Sequence, residues 1–475
     1  MQQPFIKFSL SVLFFLSVTS KLLAQQDSVL HTSEKYLIVK SISFQGLKQT
    51  KESTLLRQMT FQAGSIIASD DLLNELKQSR QNLVNIDLFN QVAVNIEAIE
   101  GAEVWIKVSV KEMWYTYPGL SLQIADRNFN SWYQEHNHDW NRLEYGMRFY
   151  QLNCRGRDED LKLVCLLGFS KQFEAGYTIP YFDSLQKLGV KLNVKYTEDK
   201  MINYQTEDNH EAVFQDFSTV NKKNFLATIE FKREPGFHFT QKLAFDYSRN
   251  RIGDTLLKIN PDYFLNGDTL QHFFSVRFTY TVDFRNMKYY PLTGTFFEFY
   301  IAKQGFAIHD NVNVLSTTLT LNQYYQLNKK WYAAIGTRVK YSLPAHQPFN
   351  LQRGLGYQGD YINGYELYVI DGQQFAIQKL NIKYHLLQFS VKTNSKNIFT
   401  KGADVPIGLF IKAFANGGYV EDAFENNMNR LANQFLYGYG LGIDLVTFYD
   451  SAIRFEYTFN SEGEKGLFLH ADSYF

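Results

Sequence analysis

The sequence predicts a transmembrane antiparallel β-barrel of about 16 strands, preceded by a small α+β domain ordered β-α-α-β-β. Three observations carry this. From residue 113 to 475 the chain repeats runs of about ten residues in which apolar and polar side chains alternate. Aromatic residues make up 16% of the chain, with 41 Phe and 31 Tyr. The first 24 residues have the layout of an export signal.

That signal has Lys7, an apolar run over residues 8–18 and the small Ala24, so cleavage would leave Gln25 as the new terminus. The run is too short for a membrane-spanning helix; a buried N-terminal helix is the alternative reading. Residues 25–35 read as a linker. No later stretch approaches the ~18 uninterrupted apolar residues of a transmembrane helix, so any membrane crossing must use strands. The 48 basic and 48 acidic residues balance, which offers nucleic acid no general electrostatic attraction. Export would permit a disulfide between Cys154 and Cys165, but they flank a turn near residues 155–160. Pairing about that turn sets Cys165 opposite a residue near Tyr150, too far from Cys154 for a bridge.

Residues 36–112 form the small domain. Ile38, Ile42 and Phe44 fall on one face of a first strand that ends at Gly46. Thr50 then stands as an N-cap before residues 51–58, and Ser69 or Asp70 before a longer helix carrying Leu72, Leu73, Leu76, Leu83 and Phe89. Residues 91–99 alternate through Val92, Val94 and Ile96. Glu100 and Gly101 turn the chain, and Val104, Ile106, Val108 and Val110 form the return strand.

In the long β region Leu188, Val190, Leu192, Val194 and Tyr196 point one way, and Lys191, Asn193 and Lys195 the other. Ile229 and Phe231 likewise oppose Glu230 and Lys232, and Phe455 and Tyr457 oppose Arg454 and Glu456. A soluble sandwich and a membrane barrel share this pattern. Strand number within one domain, the aromatic load and the export signal favour the closed barrel, whose lipid-facing wall cannot leave a sheet edge unpaired. Long connections at residues 125–139, 198–221, 249–271, 343–373 and 419–434 fall on one side. Short turns at 234–236 and 449–451 fall on the other. Bacterial outer-membrane barrels show this asymmetry, with the short turns in the periplasm.

The small domain, with SFQGLKQTKESTLL, AGSIIASDDLLNEL and SRQNLVNIDLFNQVAV in order, resembles a POTRA domain, the periplasmic module beside certain outer-membrane barrels. A POTRA-like domain followed by a barrel resembles the BamA/TamA-type superfamily of outer-membrane assembly and translocation proteins, also called bacterial surface antigens. The turn carrying Asp283, Arg285, Pro291 and Gly294 is similar to that family's turn between the eighth and ninth strands. Asn153-Cys154-Arg155-Gly156, with Pro180 nearby, is a further likeness. Phe475 is similar to the terminal recognition signal of such barrels.

The resemblance places residues 343–373 as the family's long sixth loop, which folds into the lumen and carries an Arg-Gly-Phe/Tyr tip. Here the tip reads Asn363-Gly364-Tyr365, and Asn416 stands where the family has the acidic partner on the thirteenth strand. A double exchange of charges for amides implies that Asn363 and Asn416 meet inside the barrel through a neutral hydrogen bond of about 0.5–1.5 kcal/mol. Two unrelated asparagines are the alternative. A loop held by amides and tyrosines depends little on salt or pH. Gly438, Gly440 and Gly442 lie on one strand face, where they clear room for that loop, and no helix follows to hold a phosphate.

The resemblance implies polypeptide clients recruited by β-augmentation at residues 91–99, with Val92, Val94 and Ile96 marking the edge. It also implies outer-membrane lipid as surroundings and periplasmic accessory proteins as partners. No GxSxG elbow, Walker loop or acid/base pair points to an enzyme, and no cofactor or metal is expected. The cluster Glu135-His136-Asn137-His138-Asp139 reads as an exposed outer loop, and Glu230, Asp444 and Glu456 as carboxylates solvated in a wet lumen. The function expected is assistance to polypeptide insertion or translocation. A dedicated exporter for one secreted partner and a passive pore are the alternatives.

Overall fold

The computed structural model describes residues 34–470 apart from 87, 125–128, 135–136, 184–186, 217–218, 307–311, 358, 393–403, 425–426 and 448–450. The export signal, most of the linker, Glu135, His136 and Phe475 lie outside the described residues.

The small domain runs β1 (Tyr36–Gln45), α1 (Glu52–Leu56), β2 (Ile66–Ala68), α2 (Leu72–Val84), β3 (Phe89–Glu100) and β4 (Glu103–Glu112). Its sheet order is β2-β1-β4-β3, with β1 parallel to β4. The sequence does not foretell β2, because three residues are too few to display a period. Leu37 and Val39 enter the core; then the β1 ladder shifts between Val39 and Ser41, and Ile42 and Phe44 pack against the same core. Ile38 therefore departs from the expected face and is 39% exposed. Leu55, Leu72, Leu76 and Leu83 complete that core from the helices. Thr50 does not cap α1, whose N-cap is Lys51, and Asp71 precedes α2 in place of Ser69 or Asp70.

The barrel begins with β5 (Thr116–Ile124). After α3 (Phe129–Gln134) come β6 (Leu143–Cys154), β7 (Glu159–Gly168), β8 (Ser170–Ile179) and β9 (Leu188–Asp199). The outer connection after β9 forms its own hairpin, β10 (Met201–Glu207) and β11 (His210–Gln215). The wall resumes with β12 (Lys222–Gly236) and β13 (Phe239–Ile252). Past α4 (Asp254–Ile259) it continues through β14 (Leu270–Asp283), β15 (Gly294–Gln304), β16 (Val314–Gln326) and β17 (Trp331–Leu343). The last five strands are β18 (Gln374–Lys392), β19 (Asp404–Glu421), β20 (Phe435–Thr447), β21 (Ser451–Asn460) and β22 (Lys465–His470). Together they make one 16-stranded antiparallel sheet running from β5 to β22.

Period two sorts the wall as expected. Leu192, Ile229, Phe231, Leu243, Phe245, Phe455 and Tyr457 are 38–48% exposed, while Asn193, Asp246, Lys412 and Glu456 on the opposite face are buried. An apolar belt of this extent is not left against water and is covered here by the hydrocarbon of the bilayer. Cys165 pairs across from Met147, not near Tyr150, because the turn is tight, pairing Cys154 with Glu159, and the β6–β7 ladder then slips once between Gln151 and Cys154; both cysteines are free.

The two ends of the sheet meet in an unusual way. Among the described residues no backbone ladder joins β5 to β22. Instead Asn130, on α3 of the first outer loop, reaches the last strand. Its Nδ2 donates to the Leu469 carbonyl (3.3 Å), and the Leu469 N–H donates to its Oδ1 (3.4 Å). A carboxamide carries the same donor and acceptor as a peptide unit, so Asn130 stands in for one rung of a ladder.

The small domain docks against the periplasmic turns. Asn153 is fully buried; its Oδ1 accepts from Asp158 N–H (2.8 Å) and its Nδ2 donates to Thr50 Oγ1 (2.8 Å). The Thr50 hydroxyl also lies 2.9 Å from that of Tyr115. The Gly156 carbonyl accepts from Lys51 N–H (2.9 Å) and Thr54 Oγ1 (3.1 Å). Gly156 has φ +71°, and a Cβ there would stand 2.1 Å from the Gln49 carbonyl oxygen, so only glycine fits. Arg57 pairs with Glu234 (2.8 Å) beyond the next turn. Burial pushes the Glu112 carboxyl up, but bonds from Thr50, Lys48 and Gln49 outweigh it and hold the group below its usual range.

Candidate functional site

Residues 344–373 connect β17 to β18, the eleventh and twelfth wall strands, and fill the lumen beside β18 to β22. Leu355, Ile362, Tyr365 and Ile370 of the loop are buried with Phe375, Ile377, Val420 and Leu436 of the wall. The loop and the wall thus share one apolar core. The loop's outer part is clasped by the β10–β11 hairpin, where the Val369 N–H donates to the Asn209 carbonyl (2.8 Å) and Asp371 accepts from Thr206 (2.5 Å), while Tyr357 of the loop itself also donates to Asp371 (2.7 Å). Asn429 secures it from the loop after β19, donating to the Asp371 carbonyl (2.9 Å).

At the tip Asn416 Nδ2, on β19, donates to Asn363 Oδ1. Asn363 Nδ2 in turn donates to the Glu456 carboxylate on β21. Asn460 Nδ2 donates to the Gly364 carbonyl (2.9 Å), and the Tyr365 hydroxyl meets Ser461 Oγ (2.5 Å). The tip is therefore not held by a neutral amide pair alone. Arg338 and Asp360 also form an ion pair (2.9 Å), so the expectation of an uncharged anchor is corrected.

Beneath the tip the lumen is filled by buried charged side chains. Lys412 Nζ lies 2.5 Å from Glu456 and 2.9 Å from Asp444, and all three side chains are at most 4% exposed. Asp444 and Glu456 are thus buried ion-pair partners and not solvated carboxylates. Lys412 was not legible in the sequence, because its register against Glu456 two strands away is set only by the ladder. Lys412 pairs with Gly442 and Gly442 with Glu456, so a glycine lies between the charges. A Cβ at Gly442 would stand 2.8 Å from Lys412 Cε. The glycine triplet divides its labour. At Gly438 a Cβ would be 1.8 Å from the Asn363 carbonyl oxygen, at Gly440 2.8 Å from the Phe414 ring, and only the first gap receives the loop.

The turn of Asp283, Arg285, Pro291 and Gly294 closes from the periplasmic side. Arg285 chelates Asp283 (2.7 and 2.8 Å) and its guanidinium lies over Phe296. Gly294 takes φ +107° against the Phe284 carbonyl. Two residues before Leu292, the buried Tyr290 donates to Asp444 Oδ2 (2.7 Å), so this turn and the long loop reach the same charge cluster from opposite sides. The other half of the lumen, toward β12 to β17, holds a polar cavity of about 670 Å³ lined by Lys242, Asp246, Arg277, Glu298 and Arg338 among others.

The structure places β3 at an edge of the small sheet. Val92 and Val94 are buried and Ile96 packs against the same core, so these side chains hold the strand in place. What the edge offers outward is main chain, flanked by Ala93, Asn95 and Glu97. His138 stacks on Tyr133 (5.4 Å) in the first outer loop. Glu366, Glu456 and His470 bring carboxylate and imidazole atoms within 4.8 Å of one another and are the described residues able to hold a metal ion.

Comparison with known proteins agrees with this architecture. The model of the Omp85 superfamily domain matches residues 153–466, and that of the POTRA surface antigen variable number repeat matches residues 37–113. No curated protein matches the chain closely in sequence. Among solved structures, BamA from Haemophilus ducreyi lacking POTRA domains 1–3 is similar at TM-score 0.54 and 14% identity, over 92% of this chain and 85% of that one. CdiB from Acinetobacter baumannii follows at 0.50 and 11%, over 92% and 73%. CdiB from Escherichia coli matches at 0.50 and 10%, over 94% and 91%. At these identities the likeness concerns the fold. With the superfamily domain spanning most of the barrel behind a single POTRA module, the chain belongs to the Omp85 superfamily, an outer-membrane barrel whose POTRA domain lies in the periplasm.

Proposed function

We propose that this protein assists the insertion or translocation of other polypeptides at the outer membrane, without enzymatic chemistry. The observation that carries the reading is the pair of incomplete sheet edges: β3 in the periplasmic domain and the β5/β22 seam in the wall. An unpaired edge is a template for a further strand, and an extended client satisfies it by main-chain hydrogen bonds. Among the described residues the seam is bridged by the Asn130 carboxamide and by no backbone ladder, so its opening forfeits few hydrogen bonds there. The joint at Thr50, Asn153 and Gly156 fixes the small domain against the turn between β6 and β7.

The test is photocrosslinking in cells from positions 93 and 95, whose side chains point away from the domain core. Many unfolded barrel chains trapped at β3 is the expected result. A single secreted partner would replace it with a dedicated exporter. Absence of any trapped chain would overturn client recruitment and leave a passive pore.

A further inference from the structure

We propose that Glu366, Glu456 and His470 form a binding site for one divalent transition-metal ion of zinc's chemistry, which ties the lumen loop to the last two strands of the barrel. The three residues lie on three separate elements: Glu366 in the loop, Glu456 on β21 and His470 on β22. All are buried. His470 Nε2 stands 3.5 Å from Glu366 Oε1 and 3.5 Å from Glu456 Oε2. A tetrahedral ion with bonds of about 2.1 Å has ligand atoms about 3.4 Å apart, so both spacings match its edges. Nε2 makes no hydrogen bond, although the His470 side chain is only 8% exposed.

The remaining atoms of each ligand are already occupied, as an ordered metal site requires. The Tyr361 ring stacks on the imidazole at 5.3 Å and 9°, and its hydroxyl lies 3.2 Å from Nδ1. When Nδ1–H donates to that hydroxyl, the Nε2 lone pair is left directed at the two carboxylates. Glu366 Oε2 accepts from the Gly364 N–H (2.8 Å). Glu456 Oε1 is held by Lys412 (2.5 Å), while Oε2, the oxygen facing His470, also accepts from Asn363 Nδ2 and keeps a second lone pair for the ion. One nitrogen and two carboxylate oxygens suit zinc and neighbouring first-row ions, whereas calcium needs six to eight oxygens. Three protein ligands leave the fourth position to water. Residues 366, 456 and 470 form no sequence motif, so the pattern of a metal site does not announce itself along the chain.

The experiment uses the full mature chain folded in detergent, stripped with a chelator and titrated with Zn²⁺ by calorimetry and with Co²⁺ by visible absorption. One tight equivalent of Zn²⁺ is expected, with Co²⁺ giving the strong visible bands of a four-coordinate nitrogen and oxygen site. His470→Ala and Glu366→Gln should each abolish that equivalent, and Tyr361→Phe should weaken it by about 10-fold. Heat-shifted gel mobility checks that each variant is folded, and Glu366→Gln serves if His470→Ala is not. No stoichiometric binding by the wild type, or binding undiminished in the folded ligand variants, would overturn the proposal.

Discussion

Lys412 joins two buried carboxylates contributed by neighbouring strands, and Asn363 completes one of them from the loop. Removing one partner of a buried ion cluster strands the others without compensation, at about 3–5 kcal/mol. Lys412→Met should therefore lower barrel stability by that amount in urea unfolding from detergent, and Lys412→Met with Glu456→Gln should recover part of it. Asn416→Ala removes one hydrogen bond and leaves no charge behind, so a loss of about 1 kcal/mol is expected, with faster amide exchange confined to the loop tip. Gly438→Ala should exceed it, because the added carbon would meet the Asn363 backbone, which has no rotamer to yield. If Gly438→Ala left tip exchange unchanged, the seating described for residues 363–365 would be wrong.

The joint between α1 and the β6–β7 turn has its own titration. Burial, reinforced by nearby Asp160, pushes the Asp158 carboxyl up to about 7 from its ordinary 3.8. If the small domain supplies that burial, the carboxyl favours the docked state fully below its free pKa and loses that contribution as pH rises through the docked one. Docking should therefore be tighter at pH 5 than at pH 8. Glu112, held below its usual range, stays ionised across that window and does not confuse the result. Spin-label distances between the POTRA domain and the barrel should broaden on going from pH 5 to pH 8, and Asp158→Asn should remove the difference. Equal distributions in the wild type would show that the joint rests on Asn153, Thr50 and Gly156 alone.

In the whole molecule, the loop closes one side of the lumen while a polar cavity occupies the other. Deleting residues 355–371 should raise single-channel conductance several-fold in planar bilayers. The wild-type loop should stay protected from protease in molar salt: Arg338 and Asp360 are partly accessible and screened, but the Lys412 cluster is not. Loss of protection in high salt would mean that the accessible pair governs seating. The alternation of Leu192 with Asn193, or Phe455 with Glu456, made the barrel and its strand number legible, because side-chain direction in a strand follows from position alone. The loop announced itself by its glycines and tyrosines, and the periodicity of Leu72, Leu76 and Leu83 exposed the helix that covers the small sheet. Three residues of β2, the slip beside Cys154 and the diversion of Thr50 from helix cap to joint were not legible, since each depends on a partner distant in sequence. Local pattern thus determined the class, order and orientation of the elements in this protein. Register and burial, which exist only once strands have paired, decided that Lys412 meets Glu456 across Gly442, that Asn130 spans the seam, and that His470 faces two carboxylates.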